Sequence, residues 1–122
     1  MFEQDRVLVR LQQRVMSEGD IVACFLAGSY GRRQSDPYSD MDIALVFADE
    51  PARERAWRQR RDFVQSVMQY VPAKSFDAEH VRPYFHIALY SNGTKADYRY
   101  DLQPELEPTP WDHDIRILKD QD

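Results

Sequence analysis

Hydrophobic and polar positions recur along this chain with changing periods, and each period predicts a different element. Between residues 4 and 17, Val7, Leu8, Leu11 and Val15 are separated by Arg and Gln. Steps of three and four put the apolar four on one stripe, so the segment predicts an amphipathic helix lying on a core. Glu18-Gly19-Asp20 ends it. Ile21 to Ala27 is then unbroken, β-branched and aromatic, and stops at Gly28, the pattern of a strand buried on both faces. From Tyr30 to Ser39 the chain turns polar, which predicts one helical turn and a loop. From Asp40 to about Phe47 the period is two, with Met41, Ile43, Leu45 and Phe47 on one strand face and Asp40, Asp42, Ala44 and Val46 on the other.

Asp49-Glu50-Pro51 supplies acidic residues and a proline at a helix start, and Phe63, Val64, Val67, Met68 and Val71 follow at helical spacing. One long helix to about Tyr70 is expected. Near Pro83 the period returns to two. Ser91-Asn92-Gly93-Thr94 then predicts a hairpin, because a two-residue type I′ loop needs positive φ at both central positions. That register would set Tyr90 opposite Lys95, Ala88 opposite Asp97 and His86 opposite Arg99. Phe85, Ile87 and Leu89 would then join Ala96, Tyr98 and Tyr100 in the core. A Pro-rich acidic loop runs on to Pro110, and Ile115 to Leu118 reads as a short last strand. The pattern adds up to an α/β (α+β) domain in which helices flank a mixed sheet.

A length of 122 residues suits one domain, and 43% hydrophobic with 30% charged residues is the composition of a soluble globular protein. With a formal charge of −5 and no basic stripe, nucleic acid is disfavoured as a partner. No apolar run is long enough to span a bilayer, and Met1-Phe2-Glu3-Gln4-Asp5 does not open a signal peptide. The expected location is cytoplasmic, with no membrane partner. Cys24, inside the apolar run, reads as a small buried hydrophobe.

Candidate chemistry concentrates at two places. A strand that ends in Gly28-Ser29 offers backbone N–H groups and a hydroxyl to an anion such as phosphate, although such a pair is by itself more often a tight turn. Asp40 and Asp42 share one strand face, where two like charges are costly without a divalent counter-cation. Arg32 and Arg33 follow the Gly-Ser turn, but in a polar loop they read first as solvated surface. His80, His86 and His113 show no metal-ligand spacing, and Trp57 and Trp111 read as core or edge-covering aromatics.

The string Leu26-Ala27-Gly28-Ser29, ten residues, then Asp40-Met41-Asp42-Ile43 resembles the signature of the DNA polymerase β-type nucleotidyltransferase superfamily. Phe25 to Phe47 looks like its bacterial small-molecule branch, which contains the aminoglycoside adenylyltransferases. Tyr90 to Tyr98 is similar to the hairpin that presents the third family carboxylate, which assigns that role to Asp97. Asp101 shares its strand face, and the turn position favours Asp97.

The resemblance implies the nucleotidyltransferase fold over residues 1–122 without the family's C-terminal helical domain. It also implies two Mg²⁺ ions held by Asp40, Asp42 and Asp97, with ATP as donor and its phosphates on Gly28 and Ser29. The expected reaction transfers a nucleoside monophosphate to a hydroxyl of a small, aminoglycoside-like acceptor. The alternative is a minimal nucleotidyltransferase antitoxin that binds and adenylylates a helical partner toxin. A homodimer that completes the acceptor site is compatible with either reading.

Overall fold

The computed structural model describes residues 3–27, 41–102 and 116–120. Helix α1 spans Glu3–Met16, and its stripe Val7, Leu8, Leu11 and Val15 is buried as the spacing predicts. Strands β1 (Ile21–Ala27) and β2 (Met41–Phe47) follow. Asp49 caps the next helix, α2 (Glu50–Arg58), by accepting a hydrogen bond from the Ala52 N–H at 3.0 Å. Side-chain capping of this kind satisfies a donor that the first helical turn leaves open.

The expected long helix is instead two. The helix breaks at Gln59, and α3 runs from Arg60 to Val67. No proline or glycine lies at the break. On its two sides Trp57 sets its edge against Tyr84 and Tyr100, with ring centroids 5.5 and 5.3 Å away, and Phe63 meets Tyr98 at 6.1 Å. Both large rings therefore reach the sheet from separate short helices. At Met68 the backbone is already extended, so Tyr70 is not helical and forms an isolated bridge to Tyr90.

After a 3₁₀ turn at Pro72–Lys74 come β3 (Phe76–Asp77), β4 (Phe85–Leu89), β5 (Lys95–Leu102) and β6 (Arg116–Asp120). The sheet order is β3-β4-β5-β2-β1-β6. Central β2 and β5 are parallel and the other neighbours antiparallel, so this is a mixed α/β fold. Residues of all three helices share one buried cluster with Cys24, Leu26, Ile43, Leu45, Tyr98 and Tyr100. The helices thus cover one face of the sheet. Inside this core the hydroxyls of Tyr90 and Tyr98 lie 2.6 Å apart, and Tyr90 also donates to the Val64 carbonyl at 3.2 Å.

The hairpin register differs from the expected one by a single residue. Leu89 pairs with Lys95, Ala88 with Ala96, Ile87 with Asp97 and His86 with Tyr98. The turn is a three-residue loop in which the Gly93 N–H donates to the Tyr90 carbonyl at 2.9 Å and the Tyr90 N–H to the Thr94 carbonyl at 2.8 Å. Gly93 takes φ +90°, the left-handed position of a type I turn closed by a bulge. One extra loop residue turns every β4 side chain over. His86 is consequently fully buried on the helix side with Ala88, and Phe85, Ile87 and Leu89 lie half-buried on the other side.

Candidate active site

The two central strands bring two of the three expected carboxylates together. Met41 and Ile43 on β2, and Ala96 and Tyr98 on β5, are buried toward the helices; alternation therefore turns Asp42 and Asp97 to the opposite face. In the parallel ladder Asp42 and Asp97 are register partners, rooted about 4.8 Å apart on neighbouring strands. Asp42 is exposed, whereas Asp97 keeps 17% of its side-chain exposure and lies 3.8 Å from the Lys95 ammonium. That distance is too long for a firm hydrogen bond, but it places a positive charge beside the pair.

Antiparallel β1 ends on the same level, with Ala27 opposite Asp42. The strand that leads in sequence to Gly28 and Ser29 therefore finishes next to the carboxylates. Gly28, Ser29, Asp40, Arg32 and Arg33 lie outside the described residues, as do His113 and Trp111. Among the described residues no group of three His, Cys, Asp or Glu side chains is placed to hold a metal ion. As register partners Asp42 and Asp97 offer a pair of oxygen donors of the kind Mg²⁺ takes, and two neighbouring carboxylates favour such a counter-charge.

Asp101, the rival for the third carboxylate, is four residues further along β5 and pairs with Val46. It is engaged by Arg82 at 3.0 Å and Arg99 at 3.5 Å. At about 3.3 Å per residue it stands roughly 13 Å from the level of Asp42.

On the far side of Asp97, Ile87 of β4 and then Phe76 of β3 occupy the same row. Phe76 is 49% exposed, so an apolar shoulder continues the carboxylate row to the sheet edge. The sequence reading placed small Ala88 beside Asp97, and the one-residue slip explains why it missed this shoulder. The signal available was Gly93, which serves the three-residue loop as well as the two-residue one.

A second titratable cluster lies on the helix side. Arg60 forks onto both oxygens of Asp77 at 2.8 and 2.6 Å, and His86 Nδ1 lies 2.8 Å from Asp77. The Arg60 guanidinium, with His86 adding to it, holds the Asp77 carboxyl down at about 2. Burial pushes His86 below its ordinary value, against the upward pull of Asp77. His86 Nε2 is buried with no hydrogen-bond partner, consistent with a neutral ring. His86 therefore does not share the Asp97 face, contrary to the expected register. Trp57 and Cys24 are core residues, as expected, and His80 is exposed.

No helix of the described residues is long and apolar enough to cross a membrane. Among curated proteins no match to the chain is found. The family described as "Putative nucleotidyltransferase DUF294" matches residues 4–76, a segment that carries α1, β1, β2 and both expected phosphate- and metal-binding motifs and ends before Asp97. The carboxylate of β2, the strand end beside it and this match together place the chain in that nucleotidyltransferase family.

Proposed function

We propose that the chain transfers a nucleoside monophosphate, with ATP as donor and AMP as the group moved, to an acceptor hydroxyl. The observation that carries this reading is the register pairing of Asp42 with Asp97 beside the end of β1. In the reaction the acceptor oxygen bonds to the α-phosphorus, the bond from that phosphorus to the bridging oxygen breaks, and pyrophosphate leaves. Asp42, Asp97 and Asp40 would hold Mg²⁺, which when bound supplies charge neutralisation at the phosphates. Gly28 and Ser29 would hold the phosphates themselves. Asp97, on the side away from β1, orients the acceptor hydroxyl and takes its proton.

The small-molecule acceptor of an aminoglycoside kind would approach Asp97 with its cationic groups toward the acidic pair. One observation favours the second reading of the acceptor, a tyrosine of a helical partner protein: the row beyond Asp97 is Ile87 and exposed Phe76. Apolar surface suits a phenol ring better than a polycation, whose hydration it would strip.

Calorimetric titration of MgATP into the wild type, Asp42→Asn and Asp97→Asn, each with a metal-free control, tests the reaction class. Metal-dependent binding in the wild type that both variants lose is expected. Binding that both variants keep would remove the carboxylates from the site. Mass spectrometry after incubation with ATP and either an aminoglycoside or a tyrosine-bearing helical peptide then separates the acceptors by which one gains an AMP.

A further inference from the structure

On the sheet face opposite the helices, β5 continues past Asp97 with Arg99 and Asp101. Alternation keeps these three on one side, because Tyr98 and Tyr100 between them are buried toward the helices. Asp97 and Arg99 have Ile87 and Phe85 of β4 as register partners, and both apolar residues lie half-buried on that same face. A charged lane and an apolar lane therefore run side by side from Asp97 toward the end of β5. There one carboxylate serves two guanidiniums: Arg82 donates to Asp101 at 3.0 Å, and Arg99 Nε lies 3.5 Å from its other oxygen.

We propose that this strip holds the far end of the acceptor, and that the acceptor is a small aromatic hydroxy acid. The inference rests on the transfer reading above and names its substrate class. The Arg99 contact is too long for a strong hydrogen bond, and ion pairs at the surface bind weakly. With 30% and 42% of their side chains exposed, Arg99 and Arg82 are open to a ligand, and neither has a second ion pair among the described residues. A carboxylate on the acceptor can take the N–H groups that Asp101 leaves, in the forked geometry that suits arginine. Arg99 is two residues from Asp97 and Asp101 is four, so the guanidiniums lie roughly 7–13 Å along the strand from the group that receives the hydroxyl proton. An aromatic ring with a hydroxyl at one end and a carboxylate at the other bridges that interval while its face rests on Ile87 and Phe85. In the transfer its phenol oxygen bonds to the α-phosphorus of ATP, its proton passes to Asp97, and pyrophosphate leaves. A polycation laid on the same strip would set its ammonium groups against two guanidiniums, which is repulsive.

The compounds para-hydroxyphenylacetate and tyramine share a phenol and carry opposite charges, so titrating each into ¹⁵N-labelled protein without nucleotide tests the site. The acid should shift amides of Phe85, Asp97 and Arg99 saturably and bind at least tenfold more tightly than tyramine. Joint replacement Arg82→Gln and Arg99→Gln should erase that preference, whereas Arg99→Lys, which keeps the charge and loses the fork, should keep part of it. Equal affinity for the two phenols or a preference that survives the paired Gln changes would overturn the inference. So would shifts confined to Lys95, which stands 3.8 Å from Asp97 on its other side, and to the turn before it. With MgATP added, the acid should gain an AMP by mass spectrometry; an acid that binds but gains none, from a chain that binds MgATP, would overturn its role as acceptor. Failure of MgATP to bind at all strikes the transfer reading itself, and the calorimetry above reads that outcome separately.

Discussion

Asp77 is one carboxylate shared by two bases. The ordinary carboxyl value of 3.8 is lowered to about 2, first by the Arg60 hydrogen bonds and then by His86, while burial lowers His86 from 6.5. Both groups bind protons more weakly in the folded chain than in the unfolded one, so protons favour unfolding. Their contribution is full above pH 6.5, begins to fall as His86 must be protonated below it, and falls again between 3.8 and about 2 as Asp77 protonates. The urea midpoint should therefore drop between pH 7.5 and 5, and His86→Leu should shrink that drop; an unchanged drop would take His86 out of the account. Asp77→Ala should cost about 2 kcal/mol at pH 7.5, because it strands the partly buried Arg60 guanidinium and the buried His86 ring together. Equilibrium unfolding of the variant measures it. None of this cluster was legible in the sequence. Arg60, Asp77 and His86 have no shared spacing, and only the fold brings their three elements into contact.

The hairpin between β4 and β5 shows at the scale of an element where periodicity stops informing. Alternation from Phe85 to Tyr100 made two strands plain, and the Ser-Asn-Gly-Thr stretch marked the turn. The choice between a two- and a three-residue loop was not plain, since Asn-Gly serves both, and that choice decides which face of β4 meets Asp97. At Gly93, φ is +90° and an added Cβ would touch nothing within 4 Å, so the cost of a side chain there is purely conformational. Gly93→Ala should lower stability by about 1 kcal/mol through the left-handed backbone alone, read as a lower urea midpoint with an unchanged slope. A neutral effect would argue against the left-handed backbone at Gly93, which either loop length requires. The α2–α3 break was illegible for a different reason. Nothing local at Gln59 stops a helix; the seating of Trp57 and Phe63 on the sheet does, and that is a tertiary preference overriding a helical pattern.

At the scale of the whole molecule, the carboxylate pair sits where the chain gains least from it. Asp42 and Asp97 are register partners on the two central strands of a six-stranded sheet, on a face where β5 also carries Lys95, Arg99 and Asp101; alternation with buried residues put both on one strand face, and the resemblance with the turn position singled out Asp97 over Asp101. The row that joins them to Ile87 and Phe76 was not readable from sequence, because it depends on two long-range registers. Neighbouring like charges on adjacent strands oppose folding, and a cation shared between them reverses the sign. Without divalent metal, Asp42→Asn should therefore be as stable as the wild type or gain up to about 0.5 kcal/mol, the usual range for a surface change. With Mg²⁺ at a hundred times its dissociation constant, linkage should raise the wild type by about 2.7 kcal/mol and leave the variant where it was. Unfolding curves in chelator and in MgCl₂ should consequently exchange order between the two proteins. Curves that move together on adding Mg²⁺ would place its binding elsewhere, and a wild-type curve that ignores Mg²⁺ even with ATP present would leave the pair without the role proposed for it. The exchange in order is the stronger test, because a simple structural role for Asp42 predicts a fixed ranking at every metal concentration.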